Sequence, residues 1–351
     1  MARPPFFVRS VLTLTLGAML LSAVHSNAET VGYWRFEENT SGNVPATNTG
    51  GAVPNTVLDS SGKGNHLQTW TTATAPTYTT SVPFPAGTLA GIPATGALNT
   101  ASLDFKGSPV ELYTGSKPLN SKTFTAWTVE ASFCLDVTGR WQVIVGKDGN
   151  PIGNQSPFSL KVRSDNKLEI GIVDGSGVGR WCVGDTKIEA NKWYQAAATA
   201  TATELSLWIK PEGCRDYISQ GAVPIQGAFF NTYSAFNQPW IIGRGMWNGA
   251  QKDATDGRID EVRISDTALT PAQFLGNYAA ADSDADNLPD TWELVHFRAT
   301  ATETDAEILA KQSSLIADPE ATATATASSC APAPARRWPT TLPASSPAKS
   351  G

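Results

Sequence analysis

Histidine and cysteine are scarce, at three and four residues in a chain of 351. No Cys-x-x-Cys pair occurs, and so few ligands so widely scattered exclude a zinc framework. Charge is thin as well. Charged side chains make up 17% of the chain, against about 25% in an average soluble protein, which excludes a coiled coil and a charge-driven disordered protein. Bases are outnumbered, with 26 Lys and Arg against 32 Asp and Glu and a net charge of −6. That balance argues against nucleic acid as the main partner. Long-chain helix formers such as Glu, Gln and Met are few. Gly, Pro, Thr and Ser abound instead, the composition of short strands joined by turns.

The first residues read as an export signal. Arg3 and Arg9 precede an apolar run from Val11 to Val24, and Ser26-Asn27-Ala28 supplies small residues at a cleavage site. Cleavage after Ala28 is expected, leaving an acidic, secreted chain, extracellular or at the cell surface, that can keep disulfides. No later apolar run reaches the ~18 residues that span a bilayer, so no membrane span is expected after cleavage.

From residue 29 to about 280 the pattern predicts an all-β, two-sheet antiparallel sandwich. Candidate strands are Val31–Phe36, Ala101–Phe105, Thr128–Leu135, Gln142–Gly146, Phe158–Val162, Lys167–Val173, Trp193–Thr199, Glu204–Ile209, Trp240–Gly243 and Gly257–Ile264. Leu205-Ser206-Leu207-Trp208-Ile209 mostly alternates, as a strand with one buried face must. Asp165-Asn166 reads as a hairpin turn, since both residues tolerate left-handed backbone angles. Gly42–Gly51 and Thr71–Pro93 read as loops. Cys182 and Cys214 flank the Trp193–Ile209 hairpin, where a bridge between them is geometrically possible. Cys134 reads as buried, and the four cysteines leave three full pairings open.

Four landmarks carry a family resemblance: Val31-Gly32-Tyr33-Trp34-Arg35-Phe36-Glu37-Glu38, Leu58-Asp59-Ser60-Ser61-Gly62-Lys63-Gly64-Asn65-His66, Asn191-Lys192-Trp193-Tyr194 and Gly257-Arg258-Ile259-Asp260-Glu261-Val262-Arg263-Ile264. In this order they resemble the laminin-G-like, concanavalin-A-like jelly rolls of secreted bacterial proteins. The resemblance implies two stacked antiparallel sheets with the last strand beside the first, and a structural calcium with Asp59 and Asp260 as candidate ligands. The alternative for those two is an Asx turn at Asp59 and an arginine partner for Asp260. The architecture carries lectins, adhesive domains and glycosidases alike.

Glycoside hydrolysis usually needs two carboxyl groups about 5 to 9 Å apart. The Glu-x-Asp-x-x-Glu arrangement of jelly-roll hydrolases is not found: Ser132 stands two positions after Glu130, and Asp260 and Glu261, being consecutive, are expected on opposite strand faces. With His66 alone in the sandwich, a Ser-His-Asp arrangement has no support. Sugars also bind without chemistry, stacked on flat aromatic side chains. Trp141, Trp181, Trp240 and Trp247 lie near Gly-rich loops or strand ends and are the candidate ligand-binding residues, each with a plain packing alternative. Trp34, Trp193 and Trp208 are assigned to packing.

Behind the sandwich, residues 281–297 hold a twelve-residue calcium register: Asp282, Asp284, Asp286, the carbonyl of Leu288, Asp290 and Glu293 at positions 1, 3, 5, 7, 9 and 12. Asn287 stands where Gly is usual and Pro289 where an aliphatic residue is usual. The loop is similar to thrombospondin type 3 and EF-hand-like repeats, with a short helix expected from Trp292. Residues 298–351 are low in complexity and read as a disordered tail. Its Ala-Thr alternation, when written in codons of the form GCG-ACG, reads two bases on as Asp-Gly repeats, so a shifted reading frame and a true linker both stay open, and with them the role of Cys330. The leading expectation is a secreted, non-catalytic recognition or adhesion protein that binds carbohydrate or a cell-surface glycoprotein, with calcium. The alternatives are a concanavalin-A-like glycosidase or lyase, and a purely structural surface protein.

Overall fold

The computed structural model describes residues 29–46, 56–69, 71–83, 92–149, 157–214, 216–229, 238–247 and 250–277. The expected signal peptide, the acidic register from Asp282 to Glu293 and the tail with Cys330 lie outside them. In chain order the strands are β1 (Thr30–Trp34), β2 (Gly42–Asn43), β3 (Thr77–Thr79), β4 (Ser102–Lys106), β5 (Leu112–Tyr113), β6 (Trp127–Leu135), β7 (Gln142–Lys147), β8 (Phe158–Val162) and β9 (Lys167–Val173). There follow β10 (Gly179–Lys187), β11 (Tyr194–Ala200), β12 (Glu204–Pro211), β13 (Ile218–Pro224), β14 (Trp240–Ile242), β15 (Gly245–Trp247), β16 (Ala250–Lys252) and β17 (Asp256–Ser265). Every expected strand is present within a residue or two. The expected loops each hold a short piece of sheet, β2 and β3.

One sheet has nine strands in the order β13-β12-β11-β6-β17-β4-β3-β2, with β1 also on β17; the other has six, β10-β9-β8-β7-β14-β5. All strand pairs among the described residues are antiparallel, and the last strand lies beside the first, Trp34 opposite Val262. Side chains alternate across each strand, so one set must be dry. Phe133 of β6, Ala196 of β11 and Leu207 of β12 meet Leu160 of β8 and Ile170 of β9 in one apolar core. Asn166 takes the left-handed conformation at the β8–β9 turn, with φ 64°. Where the two sheets meet at one edge, Gln220 Oε1 accepts the amides of Asp185 and Thr186 at 3.0 and 2.9 Å. That engages part of the β10 edge, which would otherwise invite pairing.

Two expectations are corrected. Cys182 is a free, buried thiol, as is Cys134, so no Cys182–Cys214 bridge forms: Cys182 points into the apolar core. Burial pushes both free thiols up to about 11. The second correction concerns Asp260 and Glu261. On the side of β17 away from β6, the strand pairs with β4 up to Ile259 and with β1 from Val262. Its register on β6 slips between Asp260 and Arg263, and Glu261 has φ 49°. The bulge inserts one residue. Ile259, Val262 and Ile264 therefore all face the core, and Asp260 and Glu261 share the outer side.

Both carboxyls are buried. Asn99 Nδ2 donates to Asp260 at 2.9 Å; the Tyr33 hydroxyl and Arg35 donate to Glu261. Burial, with Glu261 next to it, holds Asp260 well above the ordinary range. Burial also pushes Glu261 up to about 8, against the pull of Tyr33 and Arg35. A raised carboxyl binds its proton more tightly in the folded chain, so its contribution is fully present below the ordinary value and lost as pH rises through the folded value. Between pH 5 and 7 the chain is therefore expected to lose stability at up to about 1 kcal/mol per pH unit on account of Glu261. Urea unfolding of the parent and of Glu261→Gln at both pH values checks this; equal pH slopes in the two proteins would contradict it.

Candidate functional site

The outer faces of the two sheets differ. That of the nine-stranded sheet is closed by the chain itself: Glu130 accepts Arg263 Nε at 2.6 Å and the Leu275 amide at 2.6 Å, and Thr128 accepts the Leu269 amide at 2.8 Å. Phe274 packs there against Trp208 and Tyr217. Glu130 is thus the anchor of a covering strap.

The six-stranded sheet is open and carries a groove of about 790 Å³. Because Phe158, Leu160 and Val162 of β8 and Leu168 and Ile170 of β9 face the core, the residues between them must face out. Ser159, Lys161 and Arg163, Glu169, Gly171 and Val173, and Gly179, Trp181 and Val183 line the groove. Trp141, just before β7, and the β15–β16 hairpin with Met246 and Trp247 form its sides, and Lys252 and Asp253 close it.

Three of the four candidate tryptophans meet here. Trp181 is 53% exposed, Trp247 55% and Trp141 36%. Trp181 lies on a floor of two glycines: a Cβ on Gly171, its cross-strand neighbour, would stand 2.8 Å from the indole Cδ1, and one on Gly179 would stand 2.5 Å from Cη2. The pyrrole edge rests over one glycine and the benzo edge over the other. About half of the Trp181 side chain stays open to solvent. Trp141 is covered on its ring by Lys161 Nζ at 4.8 Å and Arg163 at 5.1 Å from the centroid, a cation–π arrangement. Trp240 is the exception and a correction: at 3% exposure it packs in the core against Phe158 and Phe229.

The charges in the groove are organised around one buried acid. Glu169 pairs with Lys161 at 3.0 Å through one oxygen and with Arg163 at 2.7 Å through the other. Asp253 is half-buried, and burial pushes its carboxyl above the ordinary value against the pull of Lys161 and Lys252. Sequence reasoning missed these charged residues. Their signal was the alternation Phe158-Ser159-Leu160-Lys161-Val162-Arg163, which puts both bases on one face; which other strands share that face is not legible without the register.

The candidate calcium ligands of the sandwich each carry hydrogen bonds from the chain. Asp59 accepts the amides of Tyr33, Ser61 and Asn65 at 2.9, 2.9 and 2.8 Å, the Asx turn of the alternative reading. Asp260 is held by Asn99 and the Glu261 amide, not by an arginine. Among the described residues no three His, Cys, Asp or Glu gather as a metal cluster, and no helix there is long and apolar enough to cross a membrane.

Residues 106–274 match the family model described as the concanavalin A-like lectin/glucanases superfamily. The fold is a concanavalin-A-like jelly roll. A search of curated proteins found no match. Among solved structures, this jelly roll is similar to domain 4 of an extracellular GH43 arabinanase from Geobacillus stearothermophilus in complex with arabinotriose, at 17% identity over 70% of this chain and 96% of that one, TM-score 0.39. It is also similar to the CBM40 of the Ruminococcus gnavus IT-sialidase bound to α2,3-sialyllactose, at 14% identity over 50% and 94%, TM-score 0.41. A Trypanosoma rangeli sialidase follows at 10% identity over 71% of this chain and 32% of that one, TM-score 0.41. These likenesses are too remote to bring any of those functions across.

The glycine floor gives a direct test of the geometry. Gly171→Ala is expected to change stability by less than about 1 kcal/mol, as a small outward-facing substitution does, while its methyl group displaces the Trp181 ring. A crystal structure of the variant with the indole in its parent position would contradict this packing.

Proposed function

We propose that this chain is an exported, non-catalytic recognition protein that binds carbohydrate, free or on a surface glycoprotein, in the groove of Trp141, Trp181 and Trp247. The observation that carries the reading is the indole of Trp181, seated on two glycines and left 53% exposed at the groove. Sugar rings have apolar faces that cover such a surface, while the polar rim of the groove meets their hydroxyls. Covering ~100 Å² of indole contributes about 2.5 kcal/mol by area, before the losses of association. Both oxygens of Glu169 are taken up in ion pairs, which supports the non-catalytic reading. The lectin and glucanase description of the matched family is compatible with sugar binding.

Affinity electrophoresis of the full chain through a panel of polysaccharides checks this reading. At least one is expected to retard the protein, and Trp181→Ala and Trp247→Ala each to weaken that retention by about tenfold or more. Trp240→Ala is expected instead to lower stability by about 3 kcal/mol or more. Retention unchanged by both groove variants, or reducing sugar released from the panel, would overturn the assignment.

The calcium part of the reading rests on the Asp282–Glu293 register alone. Calorimetric titration of the full chain is expected to show one site with a Kd of about 10⁻⁴ to 10⁻³ M, lost in Glu293→Ala. Heat that is the same in parent and variant would remove it.

A further inference from the structure

Building on the carbohydrate reading, we infer that the groove takes an acidic chain, an oligosaccharide or polysaccharide whose sugar units carry carboxylates. The first support is which polar groups remain open to a ligand. The acids that line the groove are Glu169 and Asp253, and the bases are Lys161, Arg163 and Lys252. Both oxygens of Glu169 are engaged by Lys161 and Arg163, and its side chain is only 4% exposed. Asp253 is half-buried between Lys161 and Lys252. Arg163 uses Nε on Asp165 and Nη1 on Glu169, which leaves Nη2 without a partner among the described residues. Lys252 is exposed and makes no ion pair there. Beside the Asp253 carboxyl, what the groove still offers is cationic N–H donors, in a chain whose net charge is −6.

The second support is the layout along the strands. Trp181 stands opposite Gly171, and Gly171 opposite Ser159. One pleat further on lie Lys161 and Glu169 as a cross-strand pair, with Val143 opposite Lys161. Arg163 and Trp141 come one pleat beyond. Four residues of strand separate Ser159 from Arg163, about 13 Å. A ligand stacked on Trp181 that also reaches Arg163 is longer than one hexose. Trp141 does not provide a bare second platform, because both bases lie over its ring. The groove therefore has an apolar end at Trp181 and a cationic end at Arg163. Neutral sugars can use the first. A carboxylate further along the chain is what the second fits, through a charge-assisted hydrogen bond from Arg163 Nη2.

The test measures affinity of the full chain by calorimetry for three matched pairs of probes: polygalacturonate and galactan, polymannuronate and mannan, polyglucuronate and glucan. The expected result is at least one acidic member bound about tenfold or more tightly than its neutral counterpart. That preference should fall severalfold in about 0.5 M sodium chloride, where the screening length is about 4 Å. It should fall likewise in Arg163→Gln and in Lys252→Gln, two variants on different elements, with the melting temperature unchanged in Lys252→Gln. Neutral members bound as tightly as acidic ones, with Trp181→Ala still abolishing binding, would overturn the acidic chain and leave the carbohydrate reading standing. A preference insensitive to salt and to both variants would also overturn it. No binding by any probe would remove the carbohydrate reading and this inference together.

Discussion

Phe158, Leu160 and Val162 on β8, with Leu168 and Ile170 on β9, have to be dry, since they are a central part of what the six-stranded sheet gives to the core. Side chains alternate along a strand with a period of two, so this single demand sends Ser159, Lys161, Glu169 and Gly171 to the other face. A slip of one residue in either strand would bury two charges and expose the core, which pins the register. The groove is thus a consequence of core burial. What is particular to it is the choice of residues at positions that had to face outward anyway.

Why only one sheet is open follows from the polar groups each carries on its outer side. The nine-stranded sheet bears Glu130, Arg263, Asp260 and Glu261 there, all shielded from solvent. A polar group buried without partners is unfavourable, and these have them: the Leu275 amide on Glu130, Asn99 on Asp260, Tyr33 and Arg35 on Glu261. The covering segments and the acids beneath them require each other. The six-stranded sheet carries small residues at its outer centre, Ser159, Gly171 and Gly179, which need no cover and leave depth for a ligand.

The strands were legible because their alternation is strong, and β1 beside β17 because four landmarks resemble a known family in order. β10 was not, since Gly179-Arg180-Trp181-Cys182-Val183-Gly184-Asp185 holds two glycines and an aspartate that read as turn residues. Here the glycines serve the indole of Trp181. β13 was missed for a different reason: as an edge strand it is largely exposed, so no buried face marks it. Trp240 was misplaced because nearness to glycine in sequence does not show which way a side chain points. The bulge at Glu261 defeated simple alternation, and its cause, the change of partner from β4 to β1 along β17, is a tertiary fact that no local pattern contains. Trp141, Trp181 and Trp247 were nameable one by one; that they share one groove depends on the strand order.

Glu169 shows how the groove is kept ready. Lysine and arginine side chains are long and lose much rotamer freedom when a ligand fixes them, which weakens binding. Here that loss is taken during folding. One buried carboxylate grips Lys161 and Arg163 from below while the ring of Trp141 meets both from the side. The indole of Trp181 is held in the same sense, since the two glycines let it rest against the sheet in one orientation instead of several. Both ends of the groove are therefore rigid before anything binds, and a rigid surface discriminates by shape and charge better than one that can adapt to each ligand.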